Sequence, residues 1–300
     1  MKKKLLTFVA FSIAIGCKAN NLRVNNVDPS APFATIAAAE QAAAEGDTIM
    51  VEGTSVYYEE TTINKRLVII GPGYWLRENG IATESAESAN IQSLTTKAEG
   101  TVVMGVHVRK LFRIEGAKTI VTRCCLEEGV SIMKATNNCI ITQNFIGGEV
   151  GSGYDRSYYH QITNNVCGSI ACKGIGDSYI AYNTSFTYWG ESFWNSANCK
   201  IEKNIFFSSD IDEGEGNTIR DNYIVGKLYK DINTDKDVRD TQLSAEAESY
   251  GAFAGSAPYV ISGIPAGPMI ENLTIPMSAE EGGTFKAIIK FGEQSNNKND

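Results

Sequence analysis

Three polar segments in the second half of the chain place aromatic residues beside acids. Flat rings can stack on the apolar faces of sugars, and carboxylates can bind hydroxyl groups or transfer protons during glycoside cleavage. The candidate ligand-binding residues are Tyr154, Asp155, Arg156, Tyr159, His160, Trp189, Trp194 and Asp210. These residue types predict a carbohydrate site. The alternative interpretation is that the segments are ordinary solvated loops whose tryptophans cover the core.

Glu191 and Asp212 are the candidate catalytic acids. If their segments stack on neighbouring coils, the carboxylates lie about 5 Å apart, or about 10 Å on alternate coils, near the separations of glycosidase acid pairs. The Arg156 guanidinium suits an acidic ligand group. His160 is a candidate general base, with a structural histidine as the alternative. A Ca²⁺ site is possible where hard oxygen ligands are dense, at Asp210, Asp212, Glu213 and Glu215, and no other cofactor or metal is predicted.

A repeat with a period near twenty residues must position these segments. Asparagines recur every 18–21 residues, each with an isoleucine three places before it, at Asn144, Asn165, Asn183, Asn204 and Asn222. This period, with short apolar pairs and no helical spacing, predicts an all-β protein, a single-stranded right-handed parallel β-helix or solenoid. The alternative, an antiparallel sandwich, would give unequal strands joined by hairpin turns. An asparagine at the same corner of each coil predicts a ladder of amide hydrogen bonds, with Cys124 in the equivalent place one coil earlier.

The cysteines beyond Cys17 are predicted to be buried thiols, namely Cys124, Cys125, Cys139, Cys167, Cys172 and Cys199. Cys139 and Cys199 share one coil position but lie three coils apart, about 14 Å. A disulfide needs Cα atoms within about 7 Å, so this pair cannot be bridged. Cys167 and Cys172 are the pair that a turn could bring together.

The flanking segments define the remaining organisation. We predict a signal peptide at 1–19, an N-terminal strand and capping helix at 20–58, the β-helix at 59–230, a C-terminal cap or linker at 231–262, a β-hairpin tail at 263–292 and a disordered end at 293–300. The alanine-rich run 32–45 favours a helix that covers the first coil. Two apolar runs, 269–275 and 285–291, favour the hairpin.

The N-terminus predicts export. Three lysines at 2–4 precede an apolar run from Leu5 to Gly16, which is typical of a secretory signal and too short to span a bilayer. Cleavage after Ala19 would give a soluble protein, whereas lipidation of Cys17 would tether it to a membrane. The location is therefore periplasmic, cell-surface or extracellular.

Net charge limits the classes of partner. Removing residues 1–19 takes away four lysines and no acid, which moves the formal charge from −8 to −12. An acidic surface repels phosphates, which argues against nucleic acid as a partner. A polyanionic glycan is disfavoured for the same reason unless a local basic patch intervenes, while neutral glycans and proteins stay open.

The segments Pro32-Phe-x-Thr-Ile36, Gly46–Val51 and Ile70–Gly73, together with the Ile-x-x-Asn repeat, resemble the pectin-lyase-like superfamily of right-handed parallel β-helices. More narrowly, the chain is similar to secreted β-helix proteins of gut Bacteroidetes. The resemblance covers residues ~30–230 and implies the fold, because this scaffold carries lyases, hydrolases, epimerases and non-catalytic surface proteins alike. His107 and His160 do not match the Gly-His-Gly segment of the family's hydrolases.

Three functions fit these patterns. The first, which we favour, is a secreted or cell-surface protein that binds glycan through an aromatic and acidic loop edge without a recognisable catalytic motif. The second is a polysaccharide lyase or glycoside hydrolase that uses carboxylates of the same edge. The third is a structural or adhesive surface protein. Exposure of Trp189 and Trp194 separates the first from the third, since buried rings could not stack on a ligand.

Overall fold

The computed structural model describes residues 19–80, 86–133, 135–151, 155–169, 172–186, 191–206, 211–224, 249–265, 269–274 and 288–292. Several predicted features lie outside these residues. They are Cys17 and the signal segment up to residue 18, the candidate ligand-binding residues Tyr154, Trp189 and Asp210, most of the predicted C-terminal cap, and the terminal residues 293–300.

Parallel strands stack into a solenoid of about eight coils, which confirms the predicted all-β parallel solenoid. Sheet A contains β1 (Asn21–Val24), β2 (Thr48–Val51), β4 (Val68–Ile70), β7 (Val102–Met104), β10 (Ile120–Thr122), β13 (Ile140–Thr142), β17 (Gln161–Thr163), β21 (Tyr179–Ala181), β24 (Lys200–Glu202) and β27 (Thr218–Ile219). Sheet B contains β5 (Asn90–Ile91), β8 (His107–Val108), β11 (Cys125–Leu126), β14 (Phe145–Ile146), β18 (Val166–Cys167), β22 (Thr184–Ser185), β25 (Ile205–Phe206) and β28 (Tyr223–Ile224). Sheet C contains β3 (Thr61–Ile63), β6 (Leu94–Thr96), β9 (Phe112–Ile114), β12 (Gly129–Ile132), β15 (Glu149–Gly151) and β19 (Cys172–Lys173).

Three separate strand pairs complete the β-structure of the described residues. The parallel pairs are β16 (Ser157–Tyr158) with β20 (Ile175–Gly176), and β23 (Glu191–Ser192) with β26 (Ile211–Asp212). Strands β29 (Met269–Thr274) and β30 (Ile288–Gly292) pair antiparallel, as their apolar runs predict.

The asparagine ladder forms as predicted. Asn165 Oδ1 accepts the backbone N–H (3.0 Å) and Nδ2 (2.9 Å) of Asn144. Its own Nδ2 donates to Asn183 Oδ1 (3.0 Å) and to the carbonyl of Ile141 (2.8 Å). The same pattern continues through Asn204 to Asn222. The backbone N–H of Cys124 donates to Asn144 Oδ1, so the cysteine occupies the ladder position of its own coil.

A residue in the left-handed backbone conformation precedes each ladder position. This first corner of the coil contains Arg123, Gln143, Asn164, Tyr182, Lys203 and Asp221, with φ from 53° to 60°. A second corner repeats the device before sheet A, with φ from 46° to 62° at Lys118, Asn138, Tyr159, Asp177 and Asn198. Such φ values are uncommon outside glycine. Each one reverses the in–out alternation of side chains, so that the next residue, a cysteine or a polar residue, points into the coil.

Residues 249–265, here called the strap, lie along the first corner. Three side chains of that corner donate to strap carbonyls: Arg123 to Ile264 (2.9 Å), Gln143 to Pro258 (2.6 Å) and Asn164 to Ala254 (2.8 Å). At the C-terminal end of the stack, the Tyr250 hydroxyl donates to Asp221 (2.9 Å). At the other end, the backbone N–H of Tyr74 donates to the carbonyl of Ser262 (2.8 Å). This part of the predicted C-terminal cap therefore runs back along the side of the solenoid.

The strap buries the outer face of sheet B. Cys125, Phe145 and Val166 form an apolar cluster with Ala252 and Tyr259 of the strap. The residues that follow them in sheet B pack into the interior of the coils. Strands β11, β14 and β18 of sheet B are therefore apolar on both faces, as parallel strands covered on both sides are.

An N-terminal helix lies between β1 and β2 in the chain. Helix α1 (Ile36–Ala42) starts at Thr35, whose side chain accepts the N–H of Ala38, and ends where Ala43 turns to ψ 149°. It is shorter than the predicted run 32–45, and it packs against β1, β2 and β3. Its role as a cap stays a prediction. No helix among the described residues is long and apolar enough to cross a membrane.

Candidate functional site

Equivalent positions of successive coils build an exposed edge between sheets C and A. Asn137, Tyr158, Gly176, Ala197 and Glu215 follow one another as paired residues on neighbouring coils. We call residues 155–159, 174–177, 194–198 and 213–216 the loop edge. Because coils rise about 4.8 Å each, side chains on different coils of this edge lie within reach of one ligand.

Three aromatic side chains of the loop edge face solvent. The exposed fractions are 36% for Tyr158, 60% for Tyr159 and 45% for Trp194. The two tyrosine rings have centroids 6.1 Å apart and planes tilted by 43°. Trp194 lies two coils from Ser157, because its carbonyl accepts the N–H of Gly174, whose carbonyl accepts that of Ser157. Two coil rises correspond to about 10 Å along the stack.

Local backbone geometry explains why these rings point outward. Ser157 is fully buried and Tyr158, the next residue on the strand, faces the opposite side. Tyr159 has φ 62°, so it also faces outward before His160 turns in. A Cβ at Gly176 would lie 2.5 Å from Cδ1 and Cε1 of the Tyr158 ring. The absence of a Cβ at Gly176 on the next coil therefore leaves the space that the Tyr158 ring occupies.

Arg156 links three coils of the edge. Its Nε donates to the carbonyl of Asn195 (2.8 Å), and its terminal nitrogen donates to Glu215 Oε2 (2.8 Å). The Arg156 side chain is 29% exposed and the Glu215 side chain 76%. The hydrogen bond with Glu215 raises the pKa of Arg156 above its usual value. Arg156, predicted as a ligand-binding residue, thus lies beside the backbone of Trp194 with its charge already paired.

His160 lies inside the coil and not on the exposed edge. The His160 ring Nδ1 accepts the backbone N–H of Cys139 (3.2 Å), and the backbone N–H of His160 donates to Ser178 Oγ (2.8 Å). Burial lowers the pKa of His160 to about 4. The imidazole is therefore neutral at pH 7, with the proton on Nε2, which is buried and has no hydrogen-bond partner among the described residues. The left-handed Tyr159 separates His160 from the rings by turning it inward.

Of this second inward column, sequence reasoning recognised only Cys139 and Cys199, and it missed the outward neighbour Tyr158. The column comprises Thr119, Cys139, His160, Ser178 and Cys199. Each member stands two residues before the central apolar residue of a sheet A strand. The fixed spacing was visible, but only Cys139 and Cys199 repeat a residue type, and the other members differ from coil to coil.

The candidate acids Glu191 and Asp212 fall on neighbouring strands. In the register of β23 and β26, Glu191 pairs with Ile211 and Ser192 pairs with Asp212. The two acids are thus offset by one residue in the strand register. A shared catalytic role for them stays a prediction. Asp155 is exposed on the loop edge.

Calcium binding and thiol chemistry have separate outcomes. No group of three or more potential metal ligands occurs among the described residues, and since Asp210 lies outside them, the calcium site stays a prediction. The six cysteines among the described residues are all buried, as predicted. Burial raises the pKa of Cys124 to about 12 and that of Cys139 to about 11, so these thiols are poor nucleophiles.

The loop edge thus combines exposed rings with a preformed ion pair, an arrangement suited to holding a ligand that has both apolar faces and hydroxyl groups. Comparison of the chain with family models, curated proteins and solved structures found no match. Its function is therefore inferred from the residues of the loop edge themselves.

Proposed function

We propose that this protein binds carbohydrate through the loop edge. The observation that carries the proposal is the exposure of three rings on one edge, Tyr158 and Tyr159 on one coil and Trp194 two coils further on. Large aromatic side chains bury much apolar surface when a partner covers them, so a group of exposed rings marks an interaction surface. Sugars offer apolar C–H faces to such rings and hydroxyl groups to adjacent charged side chains.

The rings stand on a rigid support. Strand β16 is paired with β20 on the next coil, and the backbone of Trp194 is hydrogen-bonded to Gly174. A ligand therefore meets rings whose backbone is already ordered, which lowers the entropy lost on binding. Rings separated by about two coil rises also favour an extended oligosaccharide over a single sugar.

Affinity electrophoresis against a panel of polysaccharides tests the proposal. We expect retardation of the wild-type protein by at least one glycan, and about tenfold weaker binding in Trp194→Ala, which corresponds to about 1.4 kcal/mol. Gly176→Ala should weaken binding as well, because the new Cβ displaces the Tyr158 ring. Tyr57→Ala is the matched control, since Tyr57 is 43% exposed on an N-terminal coil.

Two outcomes would contradict this function. Absence of retardation by every glycan would contradict carbohydrate binding. Equal losses of affinity in Trp194→Ala and Tyr57→Ala would show that the rings of the loop edge have no special role. The same samples are assayed for shortened products. Products that form with the wild type and disappear in Glu191→Gln would show that the protein is an enzyme.

We further propose that the protein is an exported, right-handed β-helix of the pectin-lyase-like type. The lysine-rich start, the apolar run 5–16 and the Ile-x-x-Asn repeat support this assignment. A crystal structure would test the handedness. Mass spectrometry of the mature N-terminus distinguishes a chain that begins at Asn20 from one acylated at Cys17, and an intact Met1 would contradict export.

A further inference from the structure

We propose that the loop edge selects neutral, hydroxyl-rich glycans over acidic ones, and that the Arg156–Glu215 ion pair makes this selection. The inference rests on the proposed carbohydrate binding and specifies its ligand class. An unpaired arginine beside exposed rings would favour a carboxylate or sulfate. Here the guanidinium already has a carboxylate partner at 2.8 Å.

An acidic ligand group would have to displace Glu215 from Arg156. The displaced carboxylate would then stand near the ligand's own negative charge, where like charges raise the free energy of the complex. Arg156 cannot turn away to offer a second charged face, because its Nε is held by the carbonyl of Asn195 at 2.8 Å. The pair therefore acts as one unit of zero net charge.

The remaining charges of the loop edge reinforce this selection. Asp155, Asp177 and Glu213 are exposed on the same edge. The nearest lysine along the chain, Lys173, is bound to both oxygens of Glu149 at 2.8 Å and belongs to sheet C. An anionic polymer would meet a surface whose acids outnumber its single arginine, within a chain of formal charge −8. Long-range electrostatics would slow its approach.

A neutral sugar can satisfy the same pair without breaking it. A carboxylate accepts several hydrogen bonds, and a guanidinium carries five N–H donors, of which the bonds from Arg156 to Asn195 and Glu215 use two. Two adjacent hydroxyl groups can therefore donate to Glu215 while they accept from Arg156. The high exposure of Glu215, 76% of its side chain, leaves its oxygens accessible to such a ligand.

Matched glycans that differ in charge alone test the inference. Each uronate-containing polysaccharide of the panel is assayed beside its carboxyl-reduced form, with the full chain, at low and at physiological salt. We expect the reduced, neutral form to bind about tenfold more tightly in the wild type. Glu215→Gln, which leaves Arg156 with an unopposed charge, should narrow or reverse that preference. Glu149→Gln is the control, because Glu149 pairs with Lys173 away from the rings.

The outcomes distinguish the two proposals. Tighter binding of the acidic form by the wild type would overturn the selection while leaving carbohydrate binding intact. An unchanged preference for the neutral glycan in Glu215→Gln would show that the ion pair does not make the selection. Failure to bind either form of every glycan would contradict carbohydrate binding itself.

Discussion

Replacement of Asn165 by alanine removes the centre of the buried asparagine ladder. The side chain makes four hydrogen bonds, two accepted from Asn144 and two donated to Asn183 and Ile141, at 2.8–3.0 Å. Asn165 is completely buried, so water cannot take over these partners. At a net value of about 1 kcal/mol for each bond, the substitution should lower the free energy of unfolding by about 4 kcal/mol.

Asn222 supplies a matched control at the last described coil of the ladder. Its side chain also makes four hydrogen bonds, two accepted from Asn204 and two donated to the carbonyls of Ile201 and Arg220. These bonds are partly buried or exposed, so water replaces them after truncation. Asn222→Ala should therefore cost only about 1 kcal/mol, although the number of lost bonds is the same.

Urea unfolding monitored by circular dichroism, with the midpoint and slope fitted for each variant, measures both values. The wild-type slope must be retained for the comparison to report on the ladder alone. Equal destabilisation by the two substitutions would refute the reasoning, since burial would then have no part in the ladder's contribution. A loss below about 1 kcal/mol for Asn165→Ala would show that the stack relaxes around the gap.

Three further outcomes follow from the structure. The pKa of His160 is about 4 in the fold against 6.5 in the unfolded chain, so the neutral side chain stabilises the fold above pH 6.5, and about 3 kcal/mol of the free energy of unfolding is lost as pH falls through 4. Unfolding titrations of His160→Gln should lack this part of the pH dependence, and a profile equal to the wild type would contradict the prediction. Asn164→Ala removes two donors to the strap and should cost about 2 kcal/mol, with faster hydrogen exchange in 249–265, whereas Asn138→Ala, also left-handed but exposed, should leave exchange there unchanged. The Cys124 thiol, with a pKa of about 12, should resist iodoacetamide at pH 8 until the protein unfolds, and rapid labelling of the native protein would argue against its burial.

The sequence predicted the parts of the fold that use one residue type repeatedly. Asparagine at a fixed spacing signalled the ladder, because an amide is the group that can both donate to and accept from its copy on the next coil. The second corner uses Thr119, Cys139 and His160 for the same place, and each of them meets its local hydrogen bonds differently. Only Cys139 and Cys199 repeat a residue type at this place, which is too little to predict a column.

The candidate site was predicted in outline and corrected in detail. Exposure of Trp194 and Tyr159 follows from their place in the turns between strands, and both were expected to face a ligand. Simple alternation after the buried Ser157 would turn Tyr159 inward and His160 outward, but the left-handed conformation of Tyr159 leaves its ring outside and turns His160 inward. The sequence did not predict the strap contacts, because Arg123 and Gln143, which donate to strap carbonyls, are long polar side chains of the kind usually found in solvent.

The strap changes how this solenoid should come apart. In a plain stack each coil touches only its two neighbours, so the ends can fray one coil at a time. Here one segment binds Asp221 near one end and Tyr74 near the other, with Asn164 between them. Loss of a terminal coil then weakens contacts made many coils away. The strap therefore couples the unfolding of distant coils, and the solenoid should unfold in a single cooperative transition.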